Sequence, residues 1–159
     1  MPQESCKCID REFVDLVMYA VYRAANELLG ERTWDLVWRS GEILYERLEK
    51  LLKLELAEDP VEALTKVAEW LQREGYVDRA CVKEGPDGEI EYIMSRPAIA
   101  RGAEELVREG AVPPHLSTSL MFAVLKKRGL KAELSGHPQF LPDGTVVEKW
   151  KISRAASSR

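Results

Sequence analysis

The stretch WDLVWRSGEIL, residues 34–44, reads as helix at both ends, yet it carries a glycine near its middle and two tryptophans a turn apart. A glycine inside a helix costs about 1 kcal/mol relative to alanine, so Gly41 needs a compensating role. Three are open: a close helix contact, a kink, or room for a ligand. Working outward, Trp34, Val37, Trp38, Leu44, Tyr45, Leu48, Leu51 and Leu52 form the apolar stripe of a helix expected over about residues 31–57. Gly41 falls on that stripe, one heptad after Trp34 and one before Leu48, so it is expected to face the core. No proline accompanies it and the stripe keeps its phase, which disfavours a kink. Close approach of another backbone is the favoured reading. Ligand space beside the tryptophans is the functional one.

Upstream, Phe13, Leu16, Val17, Ala20, Val21, Ala24 and Leu28 recur at helical spacing, and Gly30 supplies a stop. Downstream, Asp59-Pro60 is a helix start, with Asp as N-cap and Pro in the first turn. Val61, Leu64, Ala68 and Leu71 give that third helix a buried face, and Gly75 ends it. YVDRACVKE then alternates around Val77, Ala80 and Val82, and Cys81 is expected to behave as a small buried hydrophobe. The turn GPDGE and the strand IEYIMS complete a hairpin of the Asp-Gly type.

Residues 97–109 predict a short helix. Pro113-Pro114 introduces another, HLSTSLMFAVLKKRG, whose LMFAVL core is apolar on every side and so should be buried. Strands LKAELSG and TVVEKWKIS follow, joined by HPQFLPDG. Strands connected by short turns must be antiparallel. The expected fold is therefore α+β: a four-stranded antiparallel sheet made of two hairpins, with N-terminal helices and a buried late helix packed on it. The expected division is a flexible start over 1–9, one domain over 10–153 and a flexible tail over 154–159.

With 159 residues the chain can bury a continuous core, and its net charge of −4 gives no support to polyanion binding. No apolar run approaches the ~18 residues of a membrane span, and MPQESCKCID lacks the pattern of a signal peptide. Three cysteines make no disulfide framework. A reduced, cytoplasmic setting is the expectation. A single asparagine, Asn26, with abundant Glu, Arg and Lys, suggests a thermophilic source.

The phrases LLGERTWDLVWRSGEILYERL, DPVEALTKVAEWLQREGYVDRACV, GEIEYIMS and VVEKWKIS, in this order, resemble the 4-vinyl-reductase-type domain. The resemblance covers roughly residues 28–153 and is one of pattern. It implies the ligand-binding fold shared with subunits of the TRAPP vesicle-tethering particle and related to haem-NO-binding sensor domains. Members of the family often carry metal-binding cysteines in the buried late helix and last hairpin. Here both segments lack cysteine, so no metal is carried over. The family's name also records a reductase role, but the sequence holds no nicotinamide or flavin fingerprint.

Other chemistry is thin. The pair Cys6 and Cys8 is spaced too closely for a structural zinc motif and has no second pair. His115 and His137 have a nominal pKa suited to acid–base work but meet no recognisable nucleophile or carboxylate pair. Ser117, Thr118 and Ser119 at a helix start read as caps. The helix and hairpin over 60–93 resemble a winged-helix DNA binder in outline. Glu62, Glu69, Glu74, Glu84, Asp87, Glu89 and Glu91 on that surface would repel a phosphate backbone.

The core itself remains. Trp34, Trp38, Gly41 and Tyr45 share a face, and Met121 and Phe122 lie in the late helix. They are expected to line a pocket for a small apolar molecule, with Tyr45 or His115 as polar anchor. The expected function is non-enzymatic binding of a hydrophobic or aromatic molecule, without cofactor, metal, nucleic acid or membrane span. The alternative is an interaction module with a filled core, like the tethering-particle subunits. A homodimer through the N-terminal helices is expected in either case.

Overall fold

The computed structural model describes residues 8–156. Helix α1 (Arg11–Leu29) starts where the Asp10 carboxylate accepts the Glu12 N–H at 2.9 Å, and it stops at Gly30, whose φ is 56°. A 3₁₀ turn over Gly30–Arg32 leads into α2 (Thr33–Leu48). The expected continuation of α2 to residue 57 does not occur. The chain turns after Leu48, passes through a left-handed Lys53 (φ 52°) and forms a 3₁₀ turn at Leu54–Leu56. That turn brings Leu54 and Ala57 into the core while Leu51 stays exposed. Arg128 fixes it by donating to the Leu54 and Ala57 carbonyls at 2.8 and 2.7 Å.

Helix α3 (Pro60–Arg73) is capped by Asp59, which accepts the Val61 N–H at 3.4 Å. Strands β1 (Arg79–Glu84) and β2 (Glu89–Ser95) form the hairpin, turning at Asp87 and Gly88, both with positive φ. Helices α4 (Ala100–Arg108) and α5 (Leu116–Lys127) follow, then β3 (Leu130–Leu134), β4 (Gln139–Phe140) and β5 (Thr145–Arg154). Strand order is β1-β2-β5-β3, antiparallel throughout. The expected four strands become five because β3 leaves β5 at the Leu134–Trp150 pair, and β4 then pairs Gln139 with Val147 and Phe140 with Val146.

One face of the sheet is buried. Its inner rows are Ile90, Tyr92 and Met94 on β2, and Val146, Glu148 and Trp150 on β5. Helices α3 and α5 complete that core, and α5 is buried as expected. Cys81, expected inside, is exposed. It pairs with Ile93 on the outer face, whereas its neighbour Val82 pairs with Tyr92 inside. A second, smaller core joins Tyr22, Val37, Leu106 and Val112 beneath α1, α2 and α4.

Helix α1 presents a surprise of orientation. Its recurrent apolar stripe faces outward, with Phe13 60%, Leu16 65%, Val21 51% and Leu28 83% exposed. The buried side uses Tyr22 and Ala25 instead. Polar groups fix that orientation. Asp15 accepts the Gly102 N–H at 3.1 Å, and burial pushes its carboxyl above the usual range despite that bond. The lone asparagine, Asn26, donates to the Val112 carbonyl at 2.9 Å and accepts the Val112 N–H at 2.8 Å, in the manner of a strand neighbour. Among the described residues, no helix is long and apolar enough to cross a membrane.

Candidate functional site

Helices α2 and α5 meet at Gly41. A Cβ there would collide with the carbonyl group of Ser119 and lie 2.7 Å from the Ser119 Cβ. Glycine is thus required by backbone contact, and the helix-propensity cost is offset by the close packing it permits. Large rings flank the contact. Trp34 and Trp38 stack at 5.5 Å between centroids, 15° from parallel, and Trp38 stacks on Phe122 at 5.2 Å and 6°. Phe122 meets the fully buried Trp150 edge-on at 5.1 Å.

Beside this stack lies a cleft of about 640 Å³. Trp34, Trp38 and Phe122 contribute to one side, and Leu130, Ala132 and Leu134 of β3 contribute apolar side chains to its lining. At the rim, Lys126 donates to Glu42 at 2.6 Å and Lys131 approaches Glu133 at 2.7 Å. The rim charges are therefore paired, and the lining is dominated by aromatic and aliphatic carbon. The two half-buried tryptophans keep part of each ring accessible.

A second feature sits at the start of α5. His115 has φ 44° and ψ 40°, a left-handed backbone that costs a non-glycine residue about 1–3 kcal/mol. Its ring stacks on Trp34 at 5.5 Å, and its Nδ1 lies 3.3 Å from the Glu148 carboxylate. Both side chains are almost fully buried. The Thr118 hydroxyl donates to that carboxylate, at 2.6 Å from Oε2 and 2.9 Å from Oε1. The expected caps Ser117, Thr118 and Ser119 do not cap the helix. They are buried, with Ser117 against the Met94 sulfur at 3.6 Å and Ser119 donating to the Leu116 carbonyl at 3.0 Å.

The polar groups around Glu148 are incompletely matched. Among the described residues the Trp150 indole N–H meets no hydrogen-bond partner, and the hydroxyl of Tyr92, which pairs with Glu148 across the sheet, has only Ser117 near it. Burial, reinforced by Tyr92 and Glu148, pushes the Tyr76 phenol well above its ordinary range. Burial does the same to Tyr92. A small chamber of about 40 Å³ adjoins this group, lined by Tyr76, Met94, His115, Ser117, Thr118 and Glu148 among others.

The structure thus divides the seven expected pocket residues. Trp34, Trp38 and Phe122 line the cleft, whereas Gly41 is consumed by the helix contact. Met121 is wholly enclosed in the main core. Tyr45 belongs to the same core, where burial and then Glu49 push its phenol up to about 12. His115 lines the chamber and meets the cleft through Trp34 and Trp38, on which its ring stacks at 5.5 and 6.5 Å. Glu148 escaped sequence reading, although its strand position between Val146 and Trp150 marks it as inward-facing. His137 is exposed and does not line the chamber. Cys6 lies outside the described residues and Cys8 is exposed. Among the described residues, no three His, Cys, Asp or Glu converge as a metal-ligand set.

No protein-family model matches the sequence, and no curated protein sequence matches it. Solved structures do share its fold. Subunit 3 of a trafficking protein particle complex from Naegleria fowleri, covalently bound to palmitic acid, superposes with a TM-score of 0.63 at 10% identity. The match covers 93% of this chain and 98% of that one. An Fe(II) unliganded H-NOX protein from K. algicida gives 0.50 at 16% identity, over 79% of this chain and 65% of that one. At such identities the likeness concerns the fold alone: this α+β chain has the architecture of a TRAPP subunit and resembles that of an H-NOX protein.

Proposed function

We propose that this chain is a non-enzymatic binding domain, of the 4-vinyl-reductase type, that takes a small flat apolar molecule in the cleft beside Trp34, Trp38 and Phe122. The observation that carries this reading is the aromatic stack bordering about 640 Å³ of cleft. That volume falls within the range of small-molecule sites. Parallel rings in the wall suit a planar guest, because offset stacking adds about 0.5–1.5 kcal/mol per ring beyond area burial. The paired rim charges give no net preference for an ionic ligand. The setting proposed is reduced and cytoplasmic.

The trafficking-particle subunit of this fold carries a covalently bound palmitic acid. A buried thiol anchor is not part of the present proposal, since the described cysteines, Cys8 and Cys81, are exposed. Nor is DNA binding. Strand β2 is paired with β5 along its length, so the β1–β2 hairpin is no free wing.

The test uses a neutral fluorescent probe, N-phenyl-1-naphthylamine, with mass spectrometry of whatever co-purifies. Saturable probe binding, quenching of tryptophan fluorescence and a rise in Tm with probe concentration are expected, since a ligand that binds only the folded state stabilises it by mass action. Unchanged fluorescence and Tm across a panel of planar apolar compounds would sink the proposal.

One observation favours an interaction role beside it. The outward stripe of α1 exposes Phe13, Leu16, Val17, Val21 and Leu28 along one helix, and Leu36 and Ile43 are exposed on α2. A run of exposed apolar side chains along one helix marks an association site, and we propose that the α1 stripe pairs with a second copy of the chain. Sedimentation at micromolar concentration is expected to give a dimer that Leu16→Lys with Val21→Lys converts to a folded monomer. A monomeric wild type would remove the proposal.

A further inference from the structure

We infer that the chamber at the start of α5 is a second binding site, for the head of a small alkylammonium ion, with Glu148 as its counter-ion. The argument begins with charge. Glu148 is 4% exposed, on the inner face of the sheet. Among the described residues no Lys or Arg lies within ion-pair distance of it, and the one basic side chain that does is His115, at 3.3 Å. Buried charges are costly unless paired and hydrogen-bonded. A carboxylate has room for about four donors; Thr118 supplies one, shared between both oxygens, and the His115 Nδ1 lies 3.3 Å from Oε1, so acceptor capacity is left over. A guest with several N–H donors and a positive charge completes that set.

The chamber walls fit such a guest. Tyr76 and Phe140 add aromatic rings and Met94 a thioether beside the carboxylate. Rings with a carboxylate are the combination that recognises organic ammonium ions, through cation–π attraction plus ion pairing. Size is restrictive. A 150 Å³ cavity accepts benzene, so about 40 Å³ admits roughly two or three non-hydrogen atoms. The rim is stiff, because Pro97, Pro113 and Pro138 contribute to the lining and proline fixes φ. Left-handed backbones at Arg96 and His115, next to Pro97 and Pro114, store strain at the same rim. Three features therefore converge: a buried counter-ion, a small mixed cavity and a strained, rigid frame.

Methylammonium chloride is the probe, against sodium chloride at equal ionic strength and methanol as a neutral molecule of the same size. The wild type is expected to show a saturable Tm rise, about 8 °C at a hundredfold excess over Kd. Carbon-13 methylammonium should give nuclear Overhauser contacts to Phe140 and to the Met94 methyl. Glu148→Gln should abolish both signals. If that variant does not fold, Ala103→Leu, which fills the chamber from α4 without altering its charge, should abolish them instead. No saturable rise beyond sodium chloride, an equal response to methanol, or full retention in Ala103→Leu would each overturn the inference. Displacement of naphthylamine from the tryptophan cleft is not expected, so the outcome is independent of the cleft.

Discussion

Two stretches of the same helix pair behave oppositely. At Gly41 the backbones of α2 and α5 touch, with no space for even one methyl group. One and two turns earlier, Trp38 and Trp34 rise from α2 beside an open cleft. One turn later, Tyr45 is enclosed in the main core. The difference teaches how a single glycine organises a site. It lets the two helix backbones touch, and beside that contact Trp38 of α2 lies flat against Phe122 of α5. The rings stack face to face, Trp34 on Trp38 on Phe122, with the His115 ring against Trp34, and Trp34, Trp38 and Phe122 all border the cleft. The closed and open stretches are therefore parts of one packing solution.

The largest expected effect breaks the closed side with alkali. A phenol whose folded pKa exceeds its unfolded value stabilises the fold fully below the unfolded pKa, and that contribution is lost as pH rises toward the folded value. Tyr45 is pushed up to about 12 from 10.0, and burial pushes Tyr76 and Tyr92 further. Stability should therefore begin to fall near pH 10 and continue through about 12. Tyr76 and Tyr92 together contribute a slope of about 3 kcal/mol per pH unit. Ultraviolet absorbance should record tyrosinate from these residues only with unfolding. The check is whether the absorbance and circular dichroism transitions coincide. A smooth titration of all five tyrosines in the folded state would show that this side is open too.

A smaller effect comes from the contact itself. Gly41→Ala improves helix propensity by about 1 kcal/mol, but its methyl group collides with the Ser119 carbonyl, a backbone atom that cannot rotate away. Overpacking of this kind costs about 3 kcal/mol, so the net loss expected is about 2 kcal/mol. Urea denaturation would measure it. A neutral or stabilised variant would mean that α5 shifts freely, and that the two stretches are not coupled.

Much of this contrast was legible in the sequence because it depends on periodicity. Gly41 shares the stripe of Trp34 and Leu48, so its inward direction followed from the helical repeat alone. What the repeat does not give is sign. The apolar residues of α1 repeat as regularly as those of α2, yet they face solvent. Asp15 and Asn26 hold the other side of α1 through bonds to Gly102 and Val112, some ninety residues away. Glu148 was obscured for a related reason. Strand parity puts it between Val146 and Trp150, but an inward carboxylate makes sense only once Thr118 and His115 arrive from α5. Cys81 fails the same parity test in the opposite direction. Strand β4, two residues long, has no pattern to detect.

The smallest expected change in stability gives the sharpest test of the open side. Trp34→Leu keeps an apolar side chain at a half-buried position and removes one ring from the end of the stack. Loss of its contacts with Trp38 and His115 is expected to cost about 1 kcal/mol, as partial-burial substitutions of similar character do. Naphthylamine affinity should fall about tenfold, because the planar face is lost together with roughly 1.4 kcal/mol of stacking. The Tm loss and the affinity loss thus separate. If Trp34→Leu instead destabilises the protein as much as Gly41→Ala while leaving probe affinity intact, then Trp34 is core and the probe lies elsewhere. A probe that binds equally well to both variants would place the site outside the α2–α5 pair altogether.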